Sequence, residues 1–161
     1  ILDVKTFSQI GDSALIGKTK RIEEKVNGLP TSFVPGRNLI FGVYAAALAF
    51  KKGFKYVGMG VCQTDFSGYP DCRDESIRCL ESTIRKGFET DLYIHTPLML
   101  LTKAETVKLM QKLGKLDWYK YTHTCYEGKR PACRVCPACK LRLKGFKDAG
   151  VKDPIEYVSG G

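Results

Sequence analysis

Apolar and polar positions along the chain predict helices and strands in alternation. Residues 39–50 are apolar almost all round, which predicts a buried helix, and Lys51-Lys52-Gly53 supplies the cations and the glycine that favour a helix end. Residues 56–61 form a short, largely apolar run, which predicts a buried strand. Four further elements are predicted: a helix from about Asp74 to Lys86, a strand over residues 92–95, a helix over residues 102–114 and a basic helix after Cys139. This alternation predicts an α/β fold with a parallel sheet.

The length and composition predict one domain with two parts. The chain has 161 residues, 43% of them hydrophobic, which is enough to bury a core of its own. We therefore assign residues 1–161 to a single domain. Residues 1–115 are its α/β part, and residues 116–161 are a cysteine-rich C-terminal part.

The charge balance favours anionic partners. Lys and Arg outnumber Asp and Glu by 26 to 17, a formal net charge of +9, which suits nucleotide phosphates, RNA or an acidic small molecule without choosing among them. No apolar run of roughly eighteen residues is present to span a bilayer, and the first residues lack the pattern of a signal peptide. We therefore expect a cytoplasmic protein with no membrane partner. Because the first residue is Ile1 rather than Met, we also expect the chain to begin inside a longer protein.

Four cysteines near the C-terminus have the spacing of metal ligands. Seven, two and two residues separate them in turn: Cys125, Cys133, Cys136 and Cys139. Two successive Cys-x-x-Cys steps aim three sulfurs at one centre, and the first cysteine closes a tetrahedron, which predicts a structural zinc site with no open position. An iron–sulfur cluster and disulfides remain open as alternatives. The odd count of seven cysteines and their closeness in sequence argue against disulfides.

The loop that follows the strand at residues 56–61 is rich in polar side chains. In open α/β sheets, ligands bind beyond the carboxyl ends of the strands, where residues 62–74 are expected to lie. Five side chains of this loop could bind base edges, a metal-bound nucleotide or a carboxylate: Asp65, Ser67, Tyr69, Asp71 and Arg73. Turn formation is the alternative, because Asp, Ser, Gly and Pro are also favoured in turns. It explains neither Arg73 nor the interleaved aromatic residues.

Two candidate ligand donors precede the first long helix. Arg37 and Asn38 lie at the N-terminus of the helix at residues 39–50, where the helix dipole favours a bound anion. The alternative is that Asn38 caps the helix and Arg37 pairs with a carboxylate.

The residues at the start of the helix at residues 102–114 are explained by helix capping and solvation alone. Thr102 and Glu105 fit a capping box, and Lys103 fits a solvated first turn. A catalytic role for Lys103 therefore needs support from elsewhere.

Five segments together resemble one enzyme family. They are residues 31–38 (TSFVPGRN), 60–74 (GVCQTDFSGYPDCRD), 96–98 (TPL), 103–106 (KAET) and 124–126 (TCY). In order and spacing they are similar to the 7-cyano-7-deazaguanine synthases of queuosine-precursor synthesis, over roughly residues 1–150. The resemblance implies a Rossmann-like α/β fold of the adenine-nucleotide alpha-hydrolase (ATP-pyrophosphatase) type. It also implies a C-terminal helical region that binds zinc through the four cysteines, and a homodimer.

The resemblance further implies a reaction. Enzymes of this family use ATP with Mg²⁺ to convert 7-carboxy-7-deazaguanine and ammonia into a nitrile, with release of AMP and pyrophosphate. A carboxylate oxygen must become a leaving group before ammonia can displace it, so cationic donors that stabilise developing negative charge are expected. The expected catalytic residues are Arg37, Arg73 and Lys103. The expected substrate-binding residues are Asn38, Asp65, Ser67, Tyr69 and Asp71.

The chain departs from the family pattern in three places. The family's ATP loop, Ser-Gly-Gly-x-Asp-Ser after a strand, is absent, and only Ser159-Gly160-Gly161 echoes part of it. Because backbone N–H groups of that loop cradle pyrophosphate, we expect this chain alone to lack a complete ATP site, which leaves open whether it is active by itself. Gln63 stands where the resemblance leads us to expect Glu. The loop from Cys125 to Cys133 is one residue shorter than the family's.

Two other functions remain open. One is a related ATP-pyrophosphatase that modifies tRNA. The other is a non-catalytic RNA-binding module whose fold is stabilised by zinc. Direct nucleic-acid binding is not expected, because the aromatic residues are not spaced as a stacking platform and the GYPDCR loop places acids where phosphates would bind. A steep loss of affinity with added salt would reveal a phosphate-binding surface.

Overall fold

The structure is a computed structural model that describes residues 1–2, 4, 6–10, 13–15, 25–26, 29–64 and 68–159. Its helices are α1 (Phe7–Ile10), α2 (Arg37–Lys51), α3 (Asp74–Gly87), α4 (Lys103–Lys112) and α5 (Pro137–Ala149). Its strands are β1 (Lys25–Val26), β2 (Leu29–Pro30), β3 (Tyr56–Gly58) and β4 (Tyr93–His95), and short 3-10 helices span Pro70–Cys72 and Leu116–Tyr121. Two predicted substrate-binding residues, Asp65 and Ser67, lie outside the described residues.

Strands β3 and β4 form a parallel pair, with Tyr56 opposite Tyr93 and Gly58 opposite His95. A parallel pair needs a crossover connection, which α3 provides. Helices α2 and α3 pack on the pair, and the core between them is made of small and branched apolar side chains: Ala46, Ala49, Val57, Ile77, Leu80, Ile84, Leu92, Ile94 and Met99. The predicted α/β fold with a parallel sheet is confirmed.

Side chains of α3 cover the free edge of β4. Glu81 Oε2 accepts a hydrogen bond from the backbone N–H of Ile94 at 2.5 Å, and Arg78 Nη2 donates to the carbonyl oxygen of Ile94 at 3.1 Å. These contacts satisfy the backbone groups that a neighbouring strand would otherwise pair. Within the described residues, β4 therefore ends the sheet on this side.

Helix α2 is buried on one face only, so the prediction of a buried helix is correct for that face and wrong for the others. Gly42, Ala46 and Ala49 are buried, and a Cβ on Gly42 would lie 2.5 Å from Leu80 Cδ2, so α2 and α3 touch there. Six apolar side chains elsewhere on the helix are 36–53% exposed: Leu39, Phe41, Val43, Tyr44, Leu48 and Phe50. An apolar pattern on every side of a helix does not reveal which side its neighbours cover.

Helix α4, at the end of the α/β part, and helix α5, in the C-terminal part, contact each other closely. A Cβ on Gly145 of α5 would lie 2.6 Å from Lys103 Cβ, at the start of α4. The predicted capping box is confirmed there, because Glu105 N donates to Thr102 Oγ1 at 3.2 Å and Thr102 N donates to Glu105 Oε2 at 2.7 Å. No helix in the described part of the chain is both long enough and apolar enough to cross a membrane.

Candidate functional site

A cavity of about 910 Å³ lies between the α/β part and the C-terminal part. One wall comes from the residues after β3 and from the starts of α2 and α4, and the other comes from the cysteine region and α5. Its lining includes the polar side chains Arg37, Asn38, Tyr69, Lys103, Tyr126 and Arg142. The cavity is beyond the carboxyl end of β3, where the sequence predicted a binding site. Its volume is within the range of about 300–1,000 Å³ that is typical of small-molecule sites.

A carboxylate from the short 3-10 helix at Pro70–Cys72 fixes the N-terminus of α2. Asp71, which is buried, accepts a hydrogen bond from the backbone N–H of Asn38 at 2.9 Å. A negative charge is favourable at this end of a helix, and the N-cap itself is Gly36, with a positive φ of 71° and no capping side chain. The alternative in which Asn38 caps the helix is therefore wrong. Its side-chain Nδ2 instead donates to Cys72 Sγ at 3.2 Å.

Three hydroxyl groups from three of the resembling segments form a chain at the cavity. Ser32 Oγ lies 2.6 Å from Tyr69 OH, and Tyr69 OH lies 3.2 Å from Tyr126 OH. The Tyr69 ring stacks on Phe33, and the Arg37 guanidinium lies 5.6 Å from the Tyr69 ring centroid. Burial raises the pKa of Tyr126, and its hydrogen bond with Tyr69 raises it further. The Tyr126 phenol is therefore protonated at neutral pH and able to donate.

The positive charges of Arg37 and Lys103 lie near the cysteines of one cavity wall. Lys103 Nζ lies 3.9 Å from Cys62 Sγ. Burial and then the nearby Asp71 carboxylate raise the pKa of the Cys72 thiol to about 11, and the Arg37 and Lys103 charges oppose that rise. Both predicted catalytic cations of this wall are therefore close enough to one thiol to influence its ionisation.

The third predicted catalytic residue, Arg73, is placed differently. Arg73 is exposed, is absent from the cavity lining and forms the N-cap of α3. Gln63 lies near it and accepts a hydrogen bond from the backbone N–H of Asp74 at 3.1 Å. The Gln63 amide thus supports the start of α3 without a charge.

The four predicted metal ligands lie together. The sulfurs of Cys125, Cys133, Cys136 and Cys139 are all within 4.8 Å of one another, and all four residues are buried. Cys133 Sγ and Cys139 Sγ are 3.9 Å apart, close to the ligand separation of about 3.8 Å that Zn–S bonds of about 2.3 Å give in a tetrahedron. The donor set and its dimensions fit a four-coordinate zinc ion.

Backbone N–H groups support the charged form of these sulfurs. Cys133 N donates to Cys125 Sγ at 3.4 Å, and Cys136 N donates to Cys133 Sγ at 3.3 Å. Burial raises the pKa of Cys125, but backbone hydrogen bonds from Cys133, Lys129 and Glu127 outweigh it and lower the pKa to about 7. Burial raises the pKa of Cys133 and of Cys139 despite backbone hydrogen bonds to their sulfurs. Metal ligation requires thiolates, so the backbone contacts favour it at Cys125, and the positive charge of the metal would have to stabilise the other thiolates.

Sequence reasoning did not single out several lining residues, among them Cys62, Thr122, Tyr126 and Arg142. Cys62 and Tyr126 lie within segments that carry the resemblance, so a signal for them was present. Arg142 belongs to the predicted basic helix after Cys139. Basic side chains on such a helix are usually solvated, but Arg142 is buried. Nothing in the sequence marks Thr122.

The known proteins similar to this chain carry related descriptions. A protein-family model described as "Queuosine biosynthesis protein QueC" matches residues 1–150. A 7-cyano-7-deazaguanine synthase of Chromobacterium violaceum is 48% identical over 158 residues, which cover 96% of this chain and 68% of the relative. The synthases of that name from Laribacter hongkongensis and Bacillus subtilis are 44% and 47% identical. Those matches cover 96% and 92% of this chain and 69% and 68% of the relatives.

Proposed function

This chain belongs to the family of queuosine biosynthesis proteins QueC, and on that premise we propose that its cavity binds 7-carboxy-7-deazaguanine for ATP-dependent conversion into 7-cyano-7-deazaguanine. The family consists of ligase-type enzymes, and the resemblance found in the sequence is confirmed. One observation carries the proposal. The five segments that carry the resemblance each contribute lining residues to the cavity: residues 31–38, 60–74, 96–98, 103–106 and 124–126.

The proposed reaction activates one oxygen of the substrate at a time. The substrate carboxylate attacks the α-phosphate of ATP, pyrophosphate leaves, and ammonia then displaces AMP to give an amide. The amide oxygen is adenylated by a second ATP, and loss of that oxygen with AMP, together with two protons from nitrogen, leaves the nitrile. Negative charge develops on carboxyl and phosphate oxygens in these steps, so fixed cations in the cavity would lower the barriers.

Arg37 and Lys103 are the proposed cations. Both line the cavity, and each is fixed by its helix: Arg37 at the start of α2 and Lys103 at the start of α4. A guanidinium offers paired donors to a carboxylate or phosphate, and an ammonium offers a compact point charge. We assign both to the substrate carboxylate and its adenylate. Arg73 stays a candidate for the phosphates of ATP, since it follows Cys72 of the lining and is exposed.

Neutral donors of the same wall are proposed to recognise the deazaguanine ring. Asn38 and Tyr69 line the cavity, and the Tyr126 phenol extends the hydroxyl chain there. Asp71 is proposed to act on the ring through Asn38, because its carboxylate fixes the first turn of α2. Asp65 and Ser67 remain proposed ligands of the ring edge.

The cysteine cluster is proposed to hold zinc as a structural ion. Four sulfur donors leave no open coordination position for a substrate, so the ion would supply rigidity beside the cavity rather than chemistry in it. Mg²⁺ is proposed to accompany ATP. A reducing compartment such as the cytoplasm would keep the thiols available to the metal, and we propose that the protein acts there as a homodimer.

Replacing Lys103 by Met tests the assignment of this cavity, because Met keeps the side-chain stem that packs on Gly145 and removes the charge. In the protein expressed from its complete reading frame, we expect kcat/KM for the acid to fall about 100-fold or more. Lys112→Met, an exposed change on the same helix, is the matched control and should leave turnover unchanged. Full activity of the Lys103→Met protein would contradict the assignment of Lys103.

A further inference from the structure

A buried ion pair joins α5 to the segment that follows it. Arg142 Nε donates to Asp153 Oδ2 at 2.7 Å, and Arg142 Nη2 donates to Asp153 Oδ1 at 2.9 Å. The two side chains are only 6% and 5% exposed. A bidentate pair of this kind fixes the plane of the guanidinium as well as its position. The proposed reaction gives this pair no role.

The same guanidinium holds the wall of the cavity. Arg142 Nη1 donates to Thr122 Oγ1 at 2.7 Å, and Nη2 also donates to the carbonyl oxygen of Tyr119 at 3.1 Å. Tyr119 in turn donates from its hydroxyl to the carbonyl oxygen of Thr106, on α4, at 3.4 Å. Tyr119, Thr122 and Thr106 all line the cavity. Arg142 thus fixes wall residues that touch the space proposed for the substrate.

The acidic partner is fixed by the chain's last described segment. Asp153 Oδ2 accepts from Tyr157 OH at 2.7 Å. That segment is also paired with the cysteine loop, because Ala132 N donates to the carbonyl oxygen of Glu156 at 2.9 Å and Val158 N donates to that of Ala132 at 3.0 Å. Ala132 precedes Cys133, one of the four clustered cysteines. The ion pair therefore links the cysteine loop to the cavity wall.

We propose that the Arg142–Asp153 pair is a clasp that positions the wall at residues 119–122, and that Arg142 is a positioning residue for binding of the deazaguanine acid. Protein acceptors already take four of its five N–H groups: one on Nε, one on Nη1 and two on Nη2. Only one N–H group is left to donate to a substrate, so Arg142 affects substrate binding by holding Thr122 and Tyr119 in place. The substrate named here rests on the proposed function.

Two variants test the clasp in the protein expressed from its complete reading frame. Arg142→Lys keeps the charge but cannot make the forked contacts, and Tyr157→Phe removes one contact to Asp153 without altering a lining residue. Lys144→Ala is the matched control, since Lys144 makes an exposed pair with Asp148 on the same helix. For each variant, the measurements are kcat and KM for 7-carboxy-7-deazaguanine, bound zinc, and hydrogen exchange of the peptide covering residues 116–124.

The expected results distinguish a positioning role of Arg142 from a role in stability alone. Arg142→Lys should raise KM for the acid about tenfold, the factor that a lost charged hydrogen bond typically gives. Tyr157→Phe should raise it less, both variants should speed exchange in residues 116–124, and Lys144→Ala should do neither. Unchanged KM and exchange in Tyr157→Phe and Arg142→Lys, with an active parent, would overturn the clasp. If Arg142→Lys fails to fold, Tyr157→Phe alone decides. A parent that never turns over the acid contradicts the proposed function instead, and hydrogen exchange still tests the clasp.

Discussion

Individual side chains at the cavity take their chemistry from burial and from a few fixed neighbours. Cys72 shows this clearly, because it is half-buried beside Asp71 and accepts a hydrogen bond from Asn38 Nδ2. A thiolate there would be poorly solvated and would lie near a carboxylate, so the neutral thiol is favoured. Cys72 is therefore a packing and hydrogen-bonding residue of the wall at neutral pH.

The pKa of Cys72 predicts slow alkylation. Because its pKa is raised to about 11, its thiolate fraction at pH 8 is small and should grow about tenfold with each pH unit up to pH 10. Iodoacetamide labelling at pH 8, followed by peptide mass spectrometry, should modify the exposed Cys79 well before Cys72. Equal labelling of the two cysteines at that pH would contradict the buried, neutral Cys72.

At the residue scale, the sequence predicted the candidate side chains better than their contacts. Arg37 and Asn38 were identified because their residue types at a helix start indicate anion binding, and Lys103 was identified through the family resemblance. All three line the cavity. Arg142 was not identified, because a basic residue on a mixed helix is usually solvated. Its burial depends on Asp153, eleven residues later, and no local pattern indicates that pairing.

Elements with local signals were predicted well. Helix α4 begins at its capping box and β3 begins at Tyr56, as predicted, because caps and apolar runs act over a few neighbouring residues. The predicted length and burial of the strand are wrong, because β3 ends at Gly58 and only Val57 of its three residues is buried. The exposure of α2 was not predictable, since it depends on which other elements cover the helix. The contact between α4 and α5, which fixes the position of Lys103, could not be predicted from the sequence either.

Substitution of Gly145 is the clearest test of the contact between α4 and α5. A Cβ at Gly145 would lie 2.6 Å from Lys103 Cβ and 3.3 Å from the Lys103 carbonyl carbon, so Gly145→Ala must push α4 and α5 apart. We expect a net loss of about 1–2 kcal/mol in unfolding free energy despite the better helix propensity of Ala. Denaturant unfolding checks this against Gly87→Ala, where a Cβ meets no atom within 4 Å and little change is expected. A Gly145→Ala protein as stable as its parent would show that the two helices are not in close contact.

The whole molecule consists of an α/β core and a smaller cysteine-centred cluster, with the cavity between them. The division at about residue 115 stays a prediction. Four neighbouring sulfurs in a buried cluster would repel one another as thiolates, and a bound cation removes this cost. The stability of one cavity wall should therefore depend on the metal.

Measuring the bound metal tests whether the four clustered cysteines hold zinc. We expect one zinc ion per chain, no visible absorption bands, and a lower melting temperature after chelation, since metal binding contributes directly to folding. Cys136→Ser should lose the zinc, whereas Cys79→Ser, at an exposed thiol, should keep it. Visible bands from bound iron would mean that the cluster holds iron and sulfide instead.

The most direct test of the central claim is the mass of the product. The protein is expressed from its complete reading frame and incubated with 7-carboxy-7-deazaguanine, ammonium, ATP and Mg²⁺. The account predicts the nitrile together with AMP and pyrophosphate, and a loss of both nitrile and AMP in the Lys103→Met protein. A zinc-loaded, folded protein that forms no nitrile would contradict the account and would favour a related ATP-pyrophosphatase that modifies tRNA.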